Sequence, residues 1–168
     1  MRVLNSVLPG LLLLLSFVAT AQDFDVPANQ PTSKDEFVKS EGDFIKAAKW
    51  LETTAIGTQT DKRKQMNAWV LLWITNAPTV TVELQQPIGK LFEKNPDLLL
   101  VFMAGYTRYC LENNYSKDGV ELNTAGIKSA INCYNLGGDV RKDKTLSKVI
   151  DADKDGKLED WVGKAIKG

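Results

Sequence analysis

Histidine is absent from all 168 positions. That gap removes serine-histidine-aspartate triads, histidine-ligated zinc and any pH switch built on imidazole. Cysteine is scarce, with Cys110 and Cys133 the two in the chain. Without an imidazole to take its proton, neither reads as a catalytic thiol. Surplus charge is missing too. Lysine plus arginine number 21, as do aspartate plus glutamate, and loss of Arg2 would leave 20 basic against 21 acidic side chains. So even a balance gives no overall pull toward nucleic acid or anionic lipid. The chain also lacks a phosphate-binding P-loop, a dinucleotide fingerprint, a Gly-x-Ser-x-Gly elbow, zinc-type ligand spacing, a basic aromatic patch and an internal repeat of fixed period.

A run of apolar residues does occur at the start. Arg2, the apolar Leu11 to Val18 and the small-x-small Ala19-Thr20-Ala21 before Gln22 form the pattern of an export signal. The apolar stretch is short for a membrane span and Pro9-Gly10 interrupts it. No cysteine follows the cleavage site, which argues against a lipid anchor there. Residues 1–21 are therefore expected to be a cleavable signal peptide, residues 22–32 a flexible leader carrying Pro27 and Pro31, and residues 33–168 a single helical domain. The expected location is periplasmic or extracellular, with no transmembrane segment in the mature chain. Its length is close to the usual domain size and suffices for a core.

Helical periodicity dominates the rest. Ser33 and Glu36 have capping-box spacing, after which Phe37, Phe44, Ala48, Leu51 and Ala55 mark one face, with Glu41 the exception on it. Gly57 is expected to end this helix, with Ile56 folding back as an anchor. From about Asp61 to Thr75, Met66, Trp69, Val70, Trp73 and Ile74 form an amphipathic stripe, behind a basic Lys62-Arg63-Lys64 turn at the unfavourable end of the dipole. Tryptophans four apart could stack on sugars, but strict helical spacing favours core packing. Pro78-Thr79-Val80-Thr81-Val82 alternates in the manner of a strand. With no second strand signal in the chain, it has nothing to pair with except another molecule, and it reads as an extended connector or as a helix that overrides propensity. A short helix from about Pro87 to Lys94 follows.

The centre of the chain reads as a helical hairpin. Asn95-Pro96-Asp97 supplies an N-cap, a first-turn proline and an acid at the positive dipole end. The uncharged run Leu98 to Tyr106 is apolar all round and must be enclosed by other helices. A second helix spans Thr124 to Leu136 and closes at Gly137-Gly138. Further short helices are expected at Thr145 to Ile150 and Lys157 to Lys167. The fold class these patterns predict is all-α, a compact bundle of six to seven helices around a buried helix at about 96–114.

Four features bear on chemistry. Asp151-x-Asp153-x-Asp155-Gly156 resembles the start of an EF-hand loop, in which alternate acids converge on calcium and glycine makes the sharp turn. The resemblance covers about a dozen residues and implies calcium held by Asp151, Asp153, Asp155, the Lys157 carbonyl and Glu159 or Asp160. The closing bidentate glutamate of the family is replaced by Val162. The same acids equally suit a polar inter-helix turn that caps the last helix. Cys110 and Cys133, in an exported chain, suggest a disulfide; a simple antiparallel hairpin offsets them, and two buried thiols are the alternative. Glu112 is the candidate acid of a carboxylate-based hydrolase acting on envelope glycans, a role that needs an apolar niche and a second acid. The loop after it, with Asn113, Asn114, Tyr115, Lys117 and Asp118, has the composition of a binding loop or of an ordinary connector. Taken together, these readings favour an exported, non-catalytic protein that binds another protein or a cell-envelope component. The calcium-binding and hydrolase readings are the alternatives.

Overall fold

A computed structural model of the chain describes residues 24–167. The expected signal peptide, residues 1–21, lies outside them. Eight α-helices follow in order: α1 Lys34–Lys39, α2 Glu41–Thr53, α3 Thr60–Asn76, α4 Gln86–Gly89, α5 Asp97–Glu112, α6 Gly119–Asn135, α7 Lys144–Lys154 and α8 Leu158–Ala165. A 3-10 turn, Lys90–Phe92, extends α4. Among the described residues there is no β-strand, and one isolated parallel bridge joins Ile56 to Gly138. The fold class is all-α, as the periodicity predicts.

Helix α5 pairs with α6, and α2 and α3 also pack on α5, while α8 lies on α6. No residue from Leu98 to Leu111 is exposed, although Leu99, Leu100 and Met103 are only partly buried. The α5–α6 pair closes tightly where two glycines meet. A Cβ at Gly126 would stand 2.7 Å from the Phe102 ring and 2.8 Å from the Phe102 carbonyl oxygen, and one at Gly105 would run into the Ser129 side chain. Neither clash has room to relax, so the two backbones approach closely only because both positions lack a side chain. Around this pair, Phe44 stacks on Trp73 with ring centroids 4.2 Å apart, and Phe37 meets the same ring edge-on at 5.8 Å. Both predicted tryptophans are core residues, and each indole N–H is satisfied: Trp73 donates to the Ser40 hydroxyl at 2.8 Å and Trp69 to the Asn29 carbonyl at 3.1 Å.

Several boundaries differ from the sequence-based expectation for local reasons. The first helix breaks at Ser40, so that α1 is a short capped turn: the Ser33–Glu36 capping box is present. Helix α6 begins at Gly119, five residues earlier than the apolar pattern suggests, because the Asp118 carboxylate caps it by accepting from Val120 and Glu121 N–H at 2.8 and 3.1 Å. Asn95 does not cap α5. It is buried, and its side-chain amide clamps the Arg141 backbone through bonds of 2.7 and 3.0 Å. The leader read as flexible is tied down within the described residues: Phe24 and Val26 pack on the core, and the Gln30 amide donates to the Trp69 carbonyl at 3.3 Å. Arg63, predicted at an unfavourable helix end, turns inward instead. Its guanidinium donates to the Leu51 carbonyl at 3.3 Å and to the Thr54 carbonyl, covering the open end of α2.

Candidate functional site

The connector between α3 and α4 and the loop between α5 and α6 face each other across a cleft of about 400 Å³. Thr79, Val80, Thr81 and Glu83 line one side; Tyr106, Cys110, Tyr115 and Lys117 line the rest. The sequence itself dictates each wall. Pro78-Thr79-Val80-Thr81-Val82 has strand propensity and no partner strand, so it crosses the surface as an irregular segment, with no helix or turn assigned between Ala77 and Gln85. The opposite loop is short, because Asp118 starts α6 at once, and it turns through two consecutive non-glycine residues in the left-handed region, Asn114 at φ 52° and Tyr115 at φ 57°. Left-handed backbone is uncommon for tyrosine and persists only where the surroundings hold it. Here the Tyr115 N–H bonds the Cys110 carbonyl at 2.8 Å, and its phenol donates to Glu41 at 3.0 Å. Glu41 in turn accepts from the Thr79 hydroxyl at 3.4 Å, joining both walls through one carboxylate.

That bond sets the electrostatics of Tyr115. Its hydrogen bond to the Glu41 carboxylate, and then the Glu41 charge, raise its pKa above the ordinary phenol value. Burial raises Tyr106, whose hydroxyl lies against the Glu83 backbone. The Cys110 thiol is pushed up by burial, with the Glu41 charge adding to it, and donates to the Ser116 carbonyl at 3.4 Å. A thiol held protonated in this way is a packing and hydrogen-bonding group and a poor nucleophile.

Of the five loop residues predicted as a binding set, the structure gives two to capping. The Asn113 amide donates to the Tyr109 carbonyl at 2.9 Å at the end of α5, and Asp118 caps α6. Asn114 supplies the turn, and Tyr115 and Lys117 remain to line the cleft. Sequence reasoning missed Glu41, Thr79, Glu83 and Tyr106 as members of one site. One signal was present: Glu41 is the lone acid on an otherwise apolar helix face.

The expected disulfide is not formed; Cys110 and Cys133 are both free and buried. Gly105 sits against Gly126 and Ser129, which places Cys110 at the level of Leu122 and Cys133 near Leu99. At 1.5 Å per residue the two sulfurs are offset by roughly 16 Å along the pair, far beyond bridging distance. Cys133 instead donates to the Thr54 carbonyl at 3.5 Å beside Arg63.

The EF-hand-like acids do not form a loop. Asp151 and Asp153 lie inside α7, two residues apart and so on different faces of it. Asp155 is the C-cap and Gly156, at φ 69°, is the left-handed residue after it. Gly156 N–H bonds the Asp153 carbonyl at 3.0 Å and Lys157 N–H the Ala152 carbonyl at 2.8 Å, the paired bonds of a Schellman motif. The Lys157 carbonyl is occupied by the Trp161 N–H at 3.0 Å. Glu159 and Asp160 fall in the first turn of α8. Asp153 pairs with Lys128 at 3.9 Å and Asp155 with Lys157 at 3.4 Å. Among the described residues no three acidic or cysteine side chains are grouped to hold a metal ion.

Glu112 faces cations rather than an apolar niche. Lys49 lies 2.9 Å from one carboxylate oxygen and Arg108 3.7 Å from the other. Arg108 also pairs at 2.8 Å with Glu52, which accepts from Ser129 and Asn132 at 3.0 and 2.7 Å. This network ties α2 to α5 and α6. Compared with known protein families, curated proteins and solved structures, the chain finds no match.

Proposed function

We propose that this chain is an exported, non-catalytic helical protein that binds another protein or a cell-envelope component through the cleft between residues 78–84 and 113–119. The observation that carries the reading is the strained wall. Two adjacent left-handed residues, one a tyrosine, are held in place by a carboxylate from another helix. Strain of this kind costs on the order of 1–3 kcal/mol per residue and clusters at sites where shape is used. A cleft of about 400 Å³ bordered by Lys117, Glu83 and two phenols is a size and chemistry suited to a ligand. The export-type start of the sequence and the absence of histidine support the same class. The cation-paired Glu112 weighs against a glycan hydrolase, since an acid catalyst needs the opposite environment.

The test is a photo-crosslinking residue at Lys117, which is exposed on the cleft wall, introduced into the protein in the cells that make it. A discrete adduct that disappears in Tyr115→Ala, with the melting temperature little changed, is the expected result. Adducts formed equally from exposed Lys148 on α7, or unaffected by the Tyr115 variant, would remove the cleft from the account.

A further inference from the structure

We propose that residues 78–84 are an open strand edge that accepts an extended segment of a partner polypeptide, laid into the cleft as a second strand. The inference rests on the cleft being a binding face and adds the chemistry of what enters it. Four observations lead there. The run Thr79-Val80-Thr81-Val82-Glu83 keeps the alternation of a half-buried strand in the folded chain: Val80 is buried and Val82 partly so, while Thr81 and Glu83 are exposed. Among the described residues, 78–84 make no backbone–backbone hydrogen bond. The bonds resume on either side, from Ala77 N–H to Trp73 at 2.9 Å and from Ile88 N–H to Gln85 at 3.1 Å. The whole row of donors and acceptors between them is unpaired by backbone, the condition that makes an edge a template for another chain.

The edge also points the right way. Alternate residues of an extended chain send their N–H and C=O groups to the same side. The Glu83 backbone lies against Tyr106 in the cleft wall, so Thr81, two residues before it, presents its own toward the cleft as well, and Thr79 lines the same cleft. Among the described residues there is no β-strand of the same chain on hand to pair with it. Exposed Glu83 on the edge favours a basic residue in the entering segment, while the backbone bonds themselves set affinity without regard to sequence.

The probe is a synthetic heptapeptide alternating threonine and valine with a terminal lysine, added at millimolar concentration to the mature chain. Amide exchange at Thr79 and Thr81 should slow roughly tenfold, with resonance shifts at Tyr106 and Tyr115. The same peptide N-methylated at alternate amides keeps its side chains but loses its donors, and should produce neither effect. In the protein, Thr81→Pro removes one edge N–H where proline is tolerated and should abolish peptide binding, whereas Thr81→Val should retain it. Equal binding by the N-methylated peptide, or protection located elsewhere, would overturn the inference. So would sedimentation showing a dimer that protects the same amides, which would assign the edge to a second copy. If the Lys117 crosslink captures a partner and capture survives Thr81→Pro, the strand-addition inference falls and the binding-face reading stands. If peptide and crosslink both fail, both fall.

Discussion

Arg63 shows how one side chain decides a helix junction. It is buried, it covers the last carbonyls of α2, and it lies 5.6 Å from the Trp50 ring centroid. Burial pulls its pKa down, with the neighbouring Cys133 working the other way, and the group stays cationic at neutral pH. Arg63→Met keeps most of the volume but removes the guanidinium donor from the Leu51 carbonyl and leaves the Thr54 carbonyl with the weak Cys133 thiol alone, so urea unfolding should show a loss of about 2–3 kcal/mol with an unchanged slope. Tyr115 contributes to the pH dependence of the cleft alongside Tyr106 and Cys110. Its phenol is stabilised in the neutral form by Glu41, so its folded pKa lies above the unfolded value. The contribution is therefore complete below pH about 10 and is lost as pH rises through the folded pKa. Alkaline ultraviolet titration should show one fewer late-ionising phenol in Tyr115→Phe than in the native chain, where Tyr106 is also raised, and in that variant the α5–α6 loop should lose its order below pH 10 as well.

At the scale of elements, the glycine contact between α5 and α6 sets how closely the two helices approach. Gly126→Ala forces a methyl group against the Phe102 carbonyl as well as its ring, and should destabilise by about 1–3 kcal/mol or drive the helices apart. The α7–α8 junction behaves differently. Gly156 has open space around it, so Gly156→Ala meets only the backbone strain of φ 69° and should cost about 1 kcal/mol. Millimolar calcium should leave the melting temperature unmoved, because Asp151 and Asp153 diverge on α7; a calcium-dependent rise abolished by Asp151→Asn with Asp155→Asn would contradict that geometry. These cases also mark what could be read from sequence. Apolar faces were legible, since burial itself imposes the helical period: Phe44, Ala48, Leu51, Met66, Trp73, Phe102 and Val162 are all buried where the pattern puts them. Helix ends were less so, because Asp118 and Ser40 act through local caps that carry no periodicity. The Asp-x-Asp-x-Asp-Gly run left two readings open, because a Schellman turn and an ion loop both require glycine at the same place. The cleft was illegible as a site, since Glu41, Thr79, Tyr106 and Tyr115 meet only once the helices have packed.

For the whole molecule, the arrangement is a helical domain in which the non-helical stretch 78–84 forms one wall of the cleft. Residues 78–84 make no backbone–backbone hydrogen bond among the described residues, and the cleft lies beside them. No helix of the described residues is long and apolar enough to cross a membrane. A hydrolase would betray itself in a cell-wall lysis assay; the expected result is no activity, and lysis abolished by Glu112→Gln would replace the binding account with an enzymatic one. The most direct measurement of the central claim is residue-resolved amide exchange on the free protein. The account predicts that amides of α5 and α6 exchange last, near the rate set by global unfolding, while Thr79 and Thr81 exchange close to the rate of an unstructured chain. Strong protection at Thr79 and Thr81 in the free monomer would mean that the edge is already paired, and would contradict it.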